Sequence, residues 1–508
     1  MTIQNQLKFG ILLALVFFIF YSVYSIFFGH IAMEEAAYTY AAKLVREGKV
    51  PYTDFFYPQA PLLPYLYAAF QFAVGDSLIL NRFISLFFSA LTFFLIYKIA
   101  KNKNGLTASL IALSLFVSNV FTLTRYTAVL IYASTSFFII LSVFFATKKK
   151  TILNIFFSLL AMAAGVAIRI SVLPAFIILA FYFFFKNKGG LRKIFVVAAS
   201  AVTILIFFLP FIIADFDRFY FDIITYQINT TKYYTIFEDI SAFRWNLGKT
   251  LLVSGLIENF FSAIITAGAL IIYYFIILVN KRKHLKEFFK NYHFEILLIL
   301  LILSLFAVHL APNRPYTAYF TIIVPLCAVF FGISFSKILN QIQNKGVKKG
   351  LISFFIFIII ISPIMVSERT ILNVNPFKTV AEASDFIKKN TPEGSKVLTL
   401  SVLPALSSNR ELLPFTERGN YLYFPRLPKP IVKNYKLLDA ETLISYINNK
   451  KASAIAADSR YFYQKRVSNA KEEFQAIKKA LKNNYYEALI IEDYAGNWGK
   501  IYIYLPRD

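Results

Sequence analysis

The chain has 508 residues, 58% of them hydrophobic, and a mean hydropathy of +0.59. A single soluble core does not absorb that much apolar surface, and repeated apolar runs of about 18 residues or more indicate helices that cross a bilayer. The formal charge is +25, with 53 Lys and Arg against 28 Asp and Glu. In a membrane chain the placement of that excess reports orientation and calls for no nucleic acid. One cysteine, Cys327, excludes a disulfide or a Cys-built metal site within the chain, and His30, His284, His293 and His309 are too scattered for a His-built one. No cofactor is indicated, although carboxylates are competent to hold a divalent ion.

In chain order, the apolar runs predict about eleven spans. They lie near Leu7–Phe28, Leu78–Ile99, Leu106–Leu123, Val129–Ala146, Ile152–Ile168, Val172–Phe185, Ile194–Ala214, Leu256–Val279, Ile296–Leu310, Ala318–Phe335 and Leu351–Val366. The first is too long for a signal-peptide core and reads as a retained anchor. Leu62–Val74 reads as a helix that dips into the bilayer. Basic clusters fill alternate loops: Lys98 to Lys103, Lys148 to Lys150, Lys186 to Lys193, Lys281 to Lys290, and Lys337 to Lys349. The intervening short connections hold only Arg125, Arg169 and Arg314. Positive charge stays in the cytoplasm, so the N-terminus is expected inside. The loop 29–77, the stretch Asp215–Gly255 and everything after Glu368 are expected outside.

From Glu368 charges rise and apolar runs shorten. Phe377–Asn390 and Ser468–Asn483 read as amphipathic helices, and Lys396–Ser401, Ala454–Asp458, Ala488–Glu492 and Ile501–Leu505 as strands. The expected architecture is a polytopic α-helical membrane domain, residues 1–367, followed by an extracytoplasmic α/β accessory domain, residues 368–508. The tail is expected to be dispensable for the chemistry, because the candidate acids and bases lie in the membrane half.

Acidic residues are few, and three fall in the first external loop: Glu34, Glu35 and Asp54. Met33–Glu47 reads as one helix ended by Gly48 and Pro51. Glu34 and Glu35 occupy its first turn, where they either complement the helix dipole or serve as a base. Asp54 is either a cap or a catalytic carboxylate inside the stiff aromatic run PYTDFFYPQAPLLPY. Arg82 lies one turn into a span, where a charge is costly and usually functional or paired. Arg169 and Arg314 lie at outer span ends, as snorkelling side chains or as phosphate ligands.

The loop GHIAMEEAAYTYAAKLVREGKVPYTDFFYPQAPLLPYLYA resembles the first external loop of the C-type-fold (GT-C) membrane glycosyltransferases, in the branch holding protein O-mannosyltransferases and lipid A aminoarabinose transferases. That branch shows Asp-Glu-x-x-Tyr, a helix, and Gly-x-x-Pro-Tyr-x-Asp. Glu34-Glu35-Ala-Ala-Tyr38 and Gly48-Lys-Val-Pro51-Tyr52-Thr-Asp54 match it, with Glu34 where the family usually has Asp. Arg82 and the segment Arg314-Pro-Tyr316 match later family positions. The resemblance implies transfer of a hexosyl or pentosyl group from a polyprenyl- or dolichyl-phosphate donor to a glycan, lipid or protein hydroxyl at the outer face. It further implies Glu34 as base supported by Glu35, and Asp54 positioning a substrate. Arg82, Arg169 and Arg314 would then meet the donor phosphate, and Tyr38, Tyr52, Tyr57, Gln59 and Tyr316 would line the substrate path. The runner-up is a transporter or flippase of lipid-linked sugars. It calls for internal repeats and paired mid-membrane charges, and the sequence shows neither.

Overall fold

The computed structural model describes residues 2–149, 151–229, 274, 285–312, 316–361, 375–459, 462, 471–496 and 498–508. The membrane half opens with α1 (Ile3–Phe28), α2 (Met33–Arg46) and α3 (Leu62–Val74). Then follow α4 (Leu78–Ser118), α5 (Val120–Thr127), α6 (Ile131–Ala146), α7 (Ile152–Ile168), α8 (Leu173–Lys186) and α9 (Gly190–Ala214). A short α10 (Phe216–Tyr220) leads into a π-helical turn, Phe221–Thr225. Beyond it come α11 (Leu285–Leu310), α12 (Val324–Gln341) and α13 (Lys345–Ile361).

Apolar side chains on α1 (Phe9, Leu12, Val16, Ile19, Phe20) and on α9 (Ile194, Val197, Ile206, Ile213) are exposed in rows. Such rows suit lipid contact. Where helices meet each other, small residues set the distance. A Cβ on Gly332 of α12 would lie 2.5 Å from the Ala108 carbonyl of α4, so only glycine permits this approach.

Among the described residues five helices are long and apolar enough to cross a membrane, or six if the pair 120–127 and 131–146, bent by 106°, is one span. That is fewer than the expected eleven, for three physical reasons. The expected span Leu78–Ile99 lies in the first arm of α4, and Leu106–Leu123 covers its second arm and the start of α5; α4 doubles back at Asn104 (φ −149°) and Gly105 (φ +77°). Across that reversal Ser109 Oγ donates to the Tyr97 carbonyl at 3.2 Å. Helices α7 and α8, of 17 and 14 residues, are apolar but short. Finally Leu256–Val279 lies, Tyr274 apart, outside the described residues, as does the end of Leu351–Val366.

The C-terminal unit begins with α14 (Pro376–Asn390), whose first turn is capped by the Asn375 side chain. Its sheet comprises β1 (Lys396–Thr399), β2 (Glu411–Leu412), β3 (Ala454–Asp458), β4 (Tyr485–Ile491) and β5 (Ile501–Pro506), in the order β2-β1-β3-β5-β4. The first two pairings are parallel and the last two antiparallel. The helices Ala440–Asn448 and Lys471–Asn484 complete this unit.

The unit is seated on the loop 29–77. Trp498 Nε1 donates to the Ile31 carbonyl at 3.0 Å, and Lys436 Nζ donates to the Thr53 and Asp54 carbonyls at 2.7 and 2.8 Å. Arg218 Nη1 reaches Thr53 O at 2.9 Å while its Nε reaches Asn434 O at 3.0 Å, and Phe221 stacks on Tyr435 at 3.6 Å. The first loop is thereby clamped between the helical half and the α/β unit.

Candidate active site

Helix α2 carries Glu34 and Glu35 on successive positions, about 100° apart around the axis. They meet different surroundings. Glu35 is 0% exposed and Arg82 1% exposed. Arg82 Nε donates to Glu35 Oε2 at 2.8 Å and Nη2 to Oε1 at 2.7 Å, a bidentate fork. The Ala32 amide fills Oε1 at 2.8 Å and the Val129 amide fills Oε2 at 3.0 Å. The remaining Arg82 donors meet the carbonyls of Ser25, Ile26, Gly29 and His30, at the C-terminal end of α1 and just beyond it.

Every polar atom of this pair is therefore occupied. Glu35, expected as a catalytic carboxylate, and Arg82, expected at the donor phosphate, are used instead to tie α1, α2 and α4 together. A buried carboxylate with four donors has no lone pair left for a substrate proton. A guanidinium that satisfies a carboxylate and four carbonyls has no N–H left for a phosphate. Phe377 covers the Arg82 guanidinium at 5.1 Å.

Glu34 is half-buried and accepts one hydrogen bond, from the Tyr421 hydroxyl to Oε1 at 2.8 Å. Among the described residues no donor reaches its Oε2. Beside it Tyr38 is buried. Burial pushes the Tyr38 phenol up, Arg418 opposes that, and Glu34 and Tyr132 add to it. Arg418 lies over Tyr38 at 4.7 Å and over Tyr57 at 5.3 Å. It is 4% exposed, and its Nε and Nη1 have no hydrogen-bond acceptor. Tyr57 is fully buried with an unpartnered hydroxyl, and its amide is held by Asp222 Oδ2 at 2.8 Å.

Arg169, at the end of α7 and 8% exposed, stacks over Tyr319 at 4.3 Å and Tyr132 at 5.7 Å. Its orientation is set by a chain of donors. Arg169 Nε donates to Ser171 Oγ at 2.9 Å, and Ser171 Oγ meets His309 Nε2 at 2.9 Å. His309 Nδ1 meets the Leu305 carbonyl at 2.7 Å. A carbonyl is acceptor only, so Nδ1 carries the proton and Nε2 accepts from Ser171. Arg169 Nη1 is buried with no partner.

The other expected residues fall elsewhere. Asp54 is exposed, and its Oδ2 accepts from the Val50 amide at 2.7 Å, closing its own turn. This is the cap reading rather than the catalytic one. Tyr52 is buried at φ +70°, a strained region for a bulky residue, and its hydroxyl donates to the Gln59 carbonyl at 2.7 Å. That bond locks Tyr52 and the Gln59 backbone into loop structure and leaves no Tyr52 hydroxyl proton for a substrate. The Gln59 side chain sits half-buried in the same loop. Tyr316 is 55% exposed and packs edge-on against Tyr319 at 5.5 Å. Arg314 lies outside the described residues.

The cluster is therefore Glu34, Tyr38, Tyr57 and Arg169 from the expected set, joined by Tyr132, Ser171, His309, Tyr319, Arg418 and Tyr421. Two of these come from the C-terminal unit, where the sequence reading placed none of the candidate residues. His309 stands five residues before Arg314 in the chain, so its position was a usable signal. Arg418 and Tyr421 stand in an ordinary polar stretch, and only long-range docking brings them to α2. Among the described residues there is no group of three or more His, Cys, Asp or Glu that could hold a metal ion.

No family model matches the chain, and no curated protein matches it by sequence. Solved structures do. The crystal structure of ArnT from Cupriavidus metallidurans bound to undecaprenyl phosphate superposes with a TM-score of 0.63 at 9% identity, covering 99% of this chain and 98% of that one. The apo oligosaccharyltransferase of Archaeoglobus fulgidus matches with a TM-score of 0.58 at 12% identity, over 96% of this chain and 73% of that one. The same archaeal enzyme, AglB, in complex with an inhibitory peptide and a dolichol-phosphate gives 0.55. Together with its rows of lipid-facing apolar helices, this likeness over nearly the whole length shows that the chain is a polytopic membrane protein with the C-type glycosyltransferase fold.

Proposed function

We propose that this protein transfers a sugar from a polyprenyl- or dolichyl-phosphate donor to a hydroxyl of a glycan, lipid or protein at the outer face of the membrane. One observation carries the reading. Glu34, a carboxylate with a free oxygen, shares a tyrosine-lined cluster with Arg169, a buried guanidinium with an unpaired donor. In this reaction the acceptor hydroxyl attacks the anomeric carbon and passes its proton to Glu34 Oε2. The bond from the anomeric carbon to the phosphate oxygen breaks, and its electron pair leaves on the lipid phosphate. Arg169 balances the charge that grows there.

Tyr421 aims Glu34 by holding Oε1. Ser171 and His309 aim Arg169. Tyr38, Tyr57, Tyr132 and Tyr319 offer ring faces and hydroxyls to a sugar. Arg314 and Tyr316 are proposed to flank the donor entrance. The fold neighbours are a transferase bound to undecaprenyl phosphate and an oligosaccharyltransferase bound to a dolichol-phosphate, which supports a lipid-phosphate donor here. A transporter would need none of these aimed groups.

Glycolipids and glycoproteins compared by mass spectrometry in cells with and without the gene test the reading. Loss of a specific glycan supports it, and unchanged glycan profiles with an altered lipid-linked sugar distribution across the membrane favour a flippase. The outward orientation has its own test: reporters fused after Asp508 and between Lys281 and Lys290 should read opposite sides, external and cytoplasmic.

A further inference from the structure

The C-terminal unit brings to the site a cation that has no role in the transfer reaction as proposed. Arg418 stands beside Gly419, whose φ of +60° favours glycine. A Cβ there would lie 2.5 Å from the Leu400 carbonyl at the end of β1. Glycine thus lets the turn Thr416–Leu422 press onto the sheet, with Gly419 N bound to Thr416 O at 2.9 Å and Leu422 N to Gly419 O at 3.1 Å. The turn is held on its far side by Tyr226, whose hydroxyl donates to the Tyr421 carbonyl at 2.8 Å. Arg418 and Tyr421 project from this turn onto α2.

Arg418 makes no ion pair with any carboxylate among the described residues. It rests on two tyrosine rings and keeps two buried N–H donors without acceptors. Leaving a charged donor buried and unmet is costly, and the buried arginines Arg82 and Arg410 show the usual solution. Arg82 is fully paired, and Arg410 donates to the Thr391 hydroxyl and to the Thr391 and Lys388 carbonyls. Among the described residues Arg418 and Arg169 are the two buried arginines left short of acceptors, each on its own pair of tyrosines.

We infer that Arg418 is a second anion receptor, carried into the site by the C-terminal unit, and that it takes a negatively charged group of the donor other than the phosphate assigned to Arg169. The inference rests on the transferase reading above and narrows its substrate class to donors with two anionic groups. The second group is either the outer phosphate of a diphosphate link or a carboxylate on the sugar. Both present charged oxygens that accept from a guanidinium N–H.

Full-length protein in nanodiscs distinguishes these sources by competition binding. The lipid probes are undecaprenyl phosphate and undecaprenyl diphosphate. The soluble probes are glucose 1-phosphate and glucuronic acid 1-phosphate. The wild type should hold at least one probe with two anionic groups about tenfold or more tighter than its counterpart with one, the scale of one charge-assisted contact. Arg418→Met should bring that ratio to about one. Arg418→Gln, which keeps polar atoms against the tyrosines, reads the same ratio if the Met variant does not fold. A gain for the diphosphate alone assigns the second group to the linker, and a gain for the glucuronic acid probe alone assigns it to the sugar. No gain for either probe in the wild type, or a gain that persists in the folded variants, overturns the inference. Absence of binding of both undecaprenyl phosphate and undecaprenyl diphosphate in the wild type would instead sink the transferase reading, and this inference with it.

Discussion

The adjacent carboxylates Glu34 and Glu35 should separate stability from catalysis. Glu35→Gln leaves Arg82 charged, 1% exposed and without its fork. Breaking a buried ion pair from one side typically costs about 3–5 kcal/mol. The carboxylate also accepts the Ala32 and Val129 amides at 2.8 and 3.0 Å. A Gln side chain offers one carbonyl oxygen to them and turns an NH₂ toward one amide, so the loss should sit at the upper end of that range. Glu34→Gln removes no charge partner and keeps an oxygen for the Tyr421 hydroxyl, so its melting should match the wild type within about 0.5 kcal/mol. Its transfer rate should fall by about 10²–10⁴, the usual loss on removing a general base. Thermal melting in detergent and initial rates of sugar transfer, measured on the same preparations, decide. A Glu35→Gln protein that melts normally yet is inactive, beside an active Glu34→Gln protein, would refute the assignment and make Glu35 the base. A double variant, Glu35→Met with Arg82→Met, should recover only part of the loss. It removes the unpaired charge but leaves the carbonyls of Ser25, Ile26, Gly29 and His30 without their donor.

Arg169→Ala should raise the donor KM by about 10-fold or more and lower kcat, while Arg169→Lys, which keeps the charge and loses the fork, should fall between. Unchanged constants in both would remove Arg169 from the site. Burial holds the Asp222 carboxyl well above the usual carboxylate range, against the Tyr57 amide and Arg218, which pull it down. Its proton is therefore bound more tightly in the folded state than in the unfolded one, so this group's stabilising contribution is full below the unfolded pKa and is lost as pH rises through the folded one. Asp222→Asn, which keeps an acceptor for the Tyr57 amide, should flatten the fall of the melting temperature above pH 4 and raise it near neutrality. A variant with the wild-type slope would show that Asp222 does not carry it.

Much of the fold was legible because its signals are local. The apolar runs mark the helices. Gly48, at φ +85°, follows α2 within one residue of the expected end. The strand at Ala454–Asp458 coincides with its run of small apolar residues, fully buried as expected for a central strand. The two-residue β2 left no pattern to read. The site was legible only as a region. Glu34 and Glu35 are indistinguishable by type and helix position. What separates them is Arg82, 47 residues from Glu35, the Val129 amide, 94 away, and Tyr421, 387 away from Glu34. None of these distances leaves a trace in spacing. The cap at Asp54 is a local contact, four residues back to Val50, and was the readable half of an ambiguous pair of roles.

Purified protein in nanodiscs, incubated with polyprenyl-phosphate-linked sugar labelled in the sugar and with acceptor-containing envelope extract, tests the central claim most directly. Free lipid phosphate and a labelled product outside the lipid fraction should appear together, in equal amounts, with the wild type and not with Glu34→Gln. Label that stays on the lipid phosphate with the wild type, while the protein equilibrates that lipid between the two leaflets, would contradict the account and show a transporter in the fold of a transferase.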